Sequence, residues 1–410
     1  MVTVRPFKAI RPASGKEARI AALPYDVYSR EEARAAVADR PLSFLRIDRP
    51  ETQFPEDADM YSPAVYGKAR ELLWGMVADG DFVWDDVPGY YIYEQTMLGR
   101  SQTGIVGCAS IDDYLEGRIK KHENTRREKE EDRVRHVDAC GAQTGPIFLA
   151  YRNNDRLKEL VLSVKAGPPL FHFTSDDGIR HRGWAVTDAE RVESVRSAFE
   201  GMDALYIADG HHRAASAVRV GQMRRDADPD FTGDEEFNYF LSVIFPEDEL
   251  MIMDYNRVVR DLNGLTTERF LQKIGEVCFI KPQPWAEHPD EKGEMAMFLE
   301  GHWYMLTVKP QFRSEDPVGG LDVSILQREI LEPILRITDP RKDARIDFIG
   351  GIRGFAELER RVGLDMKVAF AMYPTSIREL FAVADEGRLM PPKSTWFEPK
   401  LYSGLFIHAI

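Results

Sequence analysis

The sequence predicts an α/β fold with mixed sheets, and three observations carry that expectation. Apolar runs of strand length, such as residues 239–245, alternate along the chain with helix-length amphipathic runs. Several of those helical runs open on a capping residue, Ser29 with Glu32 three residues later being one case. Residues 204–220, ALYIADGHHRAASAVRV, pass from an apolar segment through Asp209 and Gly210 into an alanine-rich helical pattern, which reads as strand, tight turn and helix.

Taken in order, residues 5–12 read as a short strand closed by Pro12, and residues 21–27 as an apolar entry to a loop carrying Asp26. Asp26 therefore stands just before the capped helix at 29–38. Residues 44–47 and 90–94 are strand-like, with a helix between 63 and 78. A buried strand from Gly104 leads into the most charged stretch, 114–136, whose opposite charges three and four apart describe a solvated helix face. Lys120, Lys121, His122 and Glu123 cluster before Asn124 and Thr125, the expected helix start, where lysines could reach a phosphate and Glu123 a metal or a proton.

Strands at 145–151, 169–173 and 184–187 and helices at 155–164 and 188–199 lead into the turn at Asp209. Residues 224–236 read as an acidic surface loop before the apolar strand at 239–245. Further on come a helix–strand pair at 266–280, a strand at 302–308, a linker at 311–320, a helix at 323–335, a strand at 366–372 and a capped helix at 376–384. Gly350, Gly351 and Gly354 lack dinucleotide-binding spacing and shape a turn instead. Lys393, Ser394 and Thr395 follow two prolines and sit on a stiff segment. The linker sets the expected boundary: a main catalytic region at 1–310, and a C-terminal region at 311–410 that contributes the Lys-Ser-Thr segment.

Composition narrows the function. The chain has 410 residues, 43% hydrophobic and 10% aromatic, which is globular. A formal net charge of −14 repels a polyanion and makes nucleic acid an unlikely main partner. No long apolar run and no basic-then-apolar start are present, so a cytoplasmic protein without membrane attachment is expected. Cys108, Cys140 and Cys278 are too few and too scattered for a disulfide framework or a cysteine zinc site.

Within the turn, Asp209 is an N-cap type, Gly210 permits close approach, and His211, His212 and Arg213 fall in the first helical turn. Positive charge there opposes the helix dipole unless an anion is bound, which makes the turn a candidate phosphate site. Chelation by the histidine pair is disfavoured, because adjacent helical side chains diverge by about 100°. No Gly-x-x-x-x-Gly-Lys loop, kinase His-Arg-Asp loop or Gly-x-Ser-x-Gly elbow occurs.

Seven stretches in order, RPFKAIRP, LPYDVYS, IKKHENTRREKEEDR, ADGHHRAASA, YNRVVRDLNGL, RIDFIGGIRG and PPKSTWFEPKL, resemble the family called domain of unknown function 1015 over nearly the whole chain. The Asp-Gly-His-His-Arg turn and the Lys-Ser-Thr segment are also similar to the free L-serine kinases of the ParB/sulfiredoxin fold. That second resemblance implies a ParB/sulfiredoxin-like core around the turn, with large α/β elaborations. It implies that Asp209, Gly210, His211, His212 and Arg213 grip nucleotide phosphates, and that Lys393, Ser394 and Thr395 contact substrate. A carboxylate from the N-terminal region would deprotonate the serine hydroxyl: Asp26 fits the position where those kinases have glutamate, and Glu123 competes. Sulfiredoxin chemistry needs a cysteine at the turn, and none is present.

The expected function is phosphoryl transfer from ATP or ADP to free L-serine or a close analogue. Lys120 and Lys121 add positive charge, His212 assists at the reacting centre, and Mg²⁺ is held by substrate phosphates with Asp209 or Glu123. Two alternatives stand: a nucleotide-responsive regulatory protein without turnover, and a ParB-like nucleic-acid-associated protein, which the charge opposes.

Overall fold

A computed structural model describes residues 1–410. It is mixed α/β, in two compact units: Met1–Leu250 with Pro399–Ile410, and Met251–Glu398. The boundary therefore differs from the one expected at the 311–320 linker. The reason is strand pairing: Tyr255–Val259 pairs with Ile346–Gly350, and Glu294–Leu299 with Val368–Met372, so backbone hydrogen bonds tie both sides of the linker into one sheet.

The first unit is built on a nine-stranded mixed sheet. Its path runs Ile119–Lys120, Leu205–Asp209, Ile147–Tyr151, Tyr239–Pro246, Arg100–Ser110, Tyr90–Met97, Arg180–Val186, Phe171–Thr174, and Val4–Arg5 pairs with the Arg100–Ser110 strand. Ile147–Tyr151 and Tyr239–Pro246 pair in parallel and are buried along almost their whole length, as strands covered on both faces must be. The helices Asp155–Lys165 and Ala189–Glu200 contribute Leu157, Val164, Val195, Ala198 and Phe199 to the core beside the sheet. Each opens on a side-chain cap, Asn154 and Asp188 respectively.

The second unit has a six-stranded antiparallel sheet in the order Cys278–Gln283, His302–Val308, Glu294–Leu299, Val368–Met372, Tyr255–Val259, Ile346–Gly350. Its core includes Val258, Trp303, Leu358 and Ala369. The helix Ile377–Asp385 has the full capping box, with Ser376 and Glu379 bonding reciprocally.

Several local expectations change. Residues 5–12 form two short strands, Val4–Arg5 and Ile10–Pro12, rather than one. Residues 44–47 fall on the short helix Leu45–Asp48, because a four-residue apolar run carries no decisive period. The helix expected at 323–335 is α-helical only over Asp322–Leu326 and continues as a π-turn, Gln327–Leu331, before Pro333, which has no N–H to donate. The stretch at 224–236 begins inside the helix His211–Ala227. The charged helix starts at Arg127, not at Asn124, since the Arg126 N–H is drawn onto His212. No helix is long and apolar enough to cross a membrane.

Candidate functional site

The strand Leu205–Asp209 delivers the turn. Its pairing with Ile147–Tyr151 slips between Ile207 and Asp209, an irregularity that redirects the chain at the strand's end. Gly210 follows with φ of 90°, in the left-handed region, and His211–Ala227 begins at once. Gly210, not Asp209, thus occupies the N-cap position. Asp209 accepts the Gly210 N–H on Oδ1 at 2.7 Å. The N–H groups of His211, His212 and Arg213 have no acceptor in the protein, which is the condition for an anion to settle on a helix start.

Lys400 completes the turn from the other end of the chain. Its ammonium donates to Asp209 Oδ2 at 3.0 Å, and the pair is mostly shielded from solvent, with side-chain exposures of 15% and 32%. Two buried glutamines fix its backbone: Gln95 Nε2 donates to the Lys400 carbonyl at 2.8 Å, and Gln102 Nε2 to the Pro399 carbonyl at 3.3 Å. Burial alone would raise the Asp209 carboxyl, but Lys400 and then Arg213 outweigh it and hold the group well below the carboxylate range.

The side chains of the first helical turn already have protein partners. Segment 121–126 lies over them: the His122 N–H points at His211 Nε2 at 3.5 Å, and the Arg126 N–H donates to His212 Nε2 at 2.9 Å. The pKa of each imidazole is lowered, which favours the neutral ring. Burial is the main cause for each, reinforced at His211 by His122 and at His212 by Lys129. With Nε2 accepting, the proton of the neutral His212 ring sits on Nδ1. Arg213 turns back, donating Nη1 to the Pro146 carbonyl at 2.6 Å, while its Nε is buried without a partner. The surplus of positive charge expected at this helix start is therefore smaller than the sequence suggests.

Lys120 pairs in register with Tyr206 on the neighbouring strand, its Nζ 5.8 Å from that ring. Lys121 is exposed, with Nζ 5.8 Å from the Tyr114 ring. Glu123 is half-buried in the segment that covers the histidines.

Asp26 lies in the short helical turn Tyr25–Val27, exposed, and no hydrogen bond or ion pair engages its carboxylate. Both Asp26 and Lys129 act electrostatically on His212, and both line a cavity of about 170 Å³. Its other charged walls are Arg49, Glu51, Asp132 and Arg133. Arg49 holds Glu51 at 2.6 Å and the Tyr25 and Tyr28 carbonyls at 3.0 and 2.8 Å. Arg133 holds Asp132 at 2.9 Å and stacks 4.1 Å over the Tyr25 ring. The wall thus offers fixed charges of both signs beside the turn.

Lys393, Ser394 and Thr395 belong to the second unit. Lys393 is exposed, with φ of 60° and its Nζ 5.5 Å from the Tyr255 ring. Ser394 is buried and donates to the Pro391 carbonyl at 2.6 Å, so its hydroxyl holds the segment together. Thr395 is half-buried.

No group of three or more acidic, histidine or cysteine side chains gathers as a metal site. Both Asp209 oxygens already have partners, so Asp209 does not fit the part of a magnesium ligand given to it from sequence. Lys400, Arg49 and the cavity wall were missed. The EPKL run containing Lys400 was visible, but nothing local ties it to a turn 191 residues away.

A family model described as "Protein of unknown function (DUF1015)" matches residues 4–324. No curated protein matches the chain. Among solved structures, the chain is similar to a free serine kinase in complex with AMP, at 16% identity over 70% of this chain and 85% of that one, TM-score 0.34. It is similar to a free serine kinase variant in complex with ADP, at 15% identity over 70% and 85%, TM-score 0.35. It is also similar to SbnI with C-terminal truncation from Staphylococcus aureus, at 12% identity over 72% and 84%, TM-score 0.39.

Proposed function

Because the chain belongs to the DUF1015 family, whose description assigns no activity, we propose a function from the site itself: a small-molecule kinase that transfers a phosphoryl group from ATP or ADP to the hydroxyl of free L-serine or a close analogue. The observation that carries this reading is the adjacency of two features. A helix start with three unsatisfied N–H groups lies beside a cavity walled by charges of both signs, with Asp26 and Lys129 common to the surroundings of His212 and to the cavity.

In this reading the donor phosphates sit on the N–H groups of His211, His212 and Arg213. Lys400 and Lys121 neutralise charge that develops on the leaving phosphate. Lys120 acts from the strand paired beside Tyr206. The His211 and His212 side chains keep segment 121–126 in place, and the His212 Nδ1–H is available as a donor towards the reacting centre. The amino-acid acceptor occupies the cavity, its carboxylate towards Arg49 and Arg133 and its ammonium towards Glu51 and Asp132. Its hydroxyl oxygen attacks phosphorus, the bond to the nucleotide's bridging oxygen breaks, and the hydroxyl proton passes to Asp26, with Glu123 as the competing acceptor. Magnesium would come with the nucleotide and supply neutralisation of phosphate charge, with Glu123 the side chain that would hold it.

Incubation with ATP or ADP, Mg²⁺ and L-serine tests the reading. Formation of O-phosphoserine, lost in Asp26→Asn or Glu123→Gln, supports it; tight nucleotide binding with no product from any hydroxyl amino acid favours the regulatory alternative.

A further inference from the structure

The second unit holds a charge that nothing in the protein balances. Arg257 lies on the strand Tyr255–Val259, inside the six-stranded sheet, and is only 3% exposed. Its Nη1 donates to the Tyr255 carbonyl and its Nη2 to the Lys393 carbonyl at 3.0 Å, with the guanidinium 5.4 Å over the Phe348 ring. All of these partners are neutral. No carboxylate pairs with it, and burial draws its pKa down to about 10, opposed only by the Tyr255 phenol. A buried cation without a counter-charge is unfavourable, and proteins ordinarily pair it or leave it a ligand.

A cavity of about 390 Å³ opens beside this guanidinium. Thr338 and Arg341 add polar lining, and Leu331, Phe348 and Pro391 add apolar wall. The one carboxylate in the lining, Asp339, already accepts three bonds from Arg341, two from the guanidinium at 2.9 and 3.0 Å and one from the backbone N–H at 3.1 Å. The net charge left facing the space is that of Arg257.

The loop beside it is firmly built. Lys393 adopts a left-handed conformation, φ 60°, unusual for a side chain of its size. Ser394 bonds the Pro391 carbonyl, and Thr375 Oγ1 donates to the Ser394 carbonyl at 3.0 Å. A purely structural tie explains the two carbonyl bonds of Arg257, but it would not require a buried charge.

We propose that this cavity binds a small organic anion, its carboxylate or phosphate head on Arg257 and its apolar body against Leu331, Phe348 and Pro391. The site is independent of the phosphate turn and of the kinase reading.

Calorimetric titration of the full chain with phenyl phosphate, benzoate and benzyl alcohol tests it. One of the two anions should bind with unit stoichiometry and the neutral alcohol at least tenfold more weakly; which anion wins assigns the head group. Arg257→Met should weaken binding at least tenfold, and Lys400→Met should leave it unchanged, which separates this cavity from the turn. Should Arg257→Met fail to fold, Leu331→Trp, which keeps the cation and fills the space, should abolish binding. Binding that survives Leu331→Trp or Arg257→Met, or no binding of either anion at about 10 mM, where a site of Kd about 1 mM is mostly filled, overturns the proposal.

Discussion

Lys400 Nζ stands 3.0 Å from Asp209 Oδ2 across 191 residues of sequence, and this ion pair joins the last segment of the chain to the turn at the start of His211–Ala227. The pair serves two ends. It keeps the Asp209 carboxylate charged and oriented, with its other oxygen on the Gly210 N–H, and it brings an ammonium group to the helix start.

Replacing Lys400 with methionine keeps the length of the side chain and removes the charge. Affinity for ADP is expected to fall at least tenfold, about 1.4 kcal/mol. Stability should drop by about 1–2 kcal/mol, because the partly buried Asp209 loses its counter-ion. Lys400→Arg should recover part of both. Unchanged ADP affinity in Lys400→Met, measured by calorimetry, would remove this lysine from the phosphate grip.

Gly210→Ala tests the turn's backbone. The residue sits at φ of 90°, and a Cβ there would lie 3.2 Å from Arg213 Nε, so alanine is both strained and crowded. The expected loss is about 1–2 kcal/mol of stability together with weaker nucleotide binding. Gly201→Ala, at an ordinary φ of −76°, should do neither. Equal denaturation midpoints for the two variants contradict the argument.

The proton acceptor is decided by comparing Asp26→Asn with Glu123→Gln. Asp26 has an unengaged carboxylate beside the cavity, so its amide variant should lower kcat by about 10²–10⁴ while leaving nucleotide affinity within twofold, roughly. If Glu123→Gln is the variant that loses turnover, the base lies in segment 121–126 and the acceptor is oriented differently.

Buried histidines give the protein an acid-sensitive fold. Burial pushes the pKa of His122, 2% exposed, down to about 4, and that of His181 likewise to about 4. In the unfolded chain each takes up a proton below about pH 6.5, whereas the folded protein resists doing so until near pH 4. The unfolded state therefore binds more protons in that window, and stability falls as pH drops from about 6.5 to 4, by up to about 3 kcal/mol from His122 alone. Urea denaturation at several pH values should show the decline, and His122→Gln should shrink it. A flat profile between pH 7 and 5 would show that these rings are protonated in the fold.

How much of this could be read from sequence varies by residue. The strand, turn and helix at 204–220 were legible because their signals are local: an apolar run, a glycine, then a helical alanine pattern. The capping box at Ser29 and the cap at Ser376 were legible for the same reason. The orientation of the histidines was not. Segment 121–126 engages both imidazoles through its backbone, and that contact spans roughly 90 residues of sequence, as the pairs His122–His211 and Arg126–His212 show. Lys400 was passed over for Lys393, which has the more conspicuous neighbours, because no local pattern reports a partner on a distant strand. The boundary at 310 failed likewise: a Gly- and Pro-rich linker marks a surface loop, and whether that loop divides units depends on which strands pair across it.

The claim on which the account turns is that donor phosphates rest on the start of His211–Ala227. A crystal structure of the protein with ADP and Mg²⁺ tests it most directly. A phosphate oxygen is expected within hydrogen-bond reach of the N–H groups of His211, His212 or Arg213, with Lys400 beside it. Nucleotide phosphates bound elsewhere, with no phosphate oxygen on those N–H groups, would contradict it.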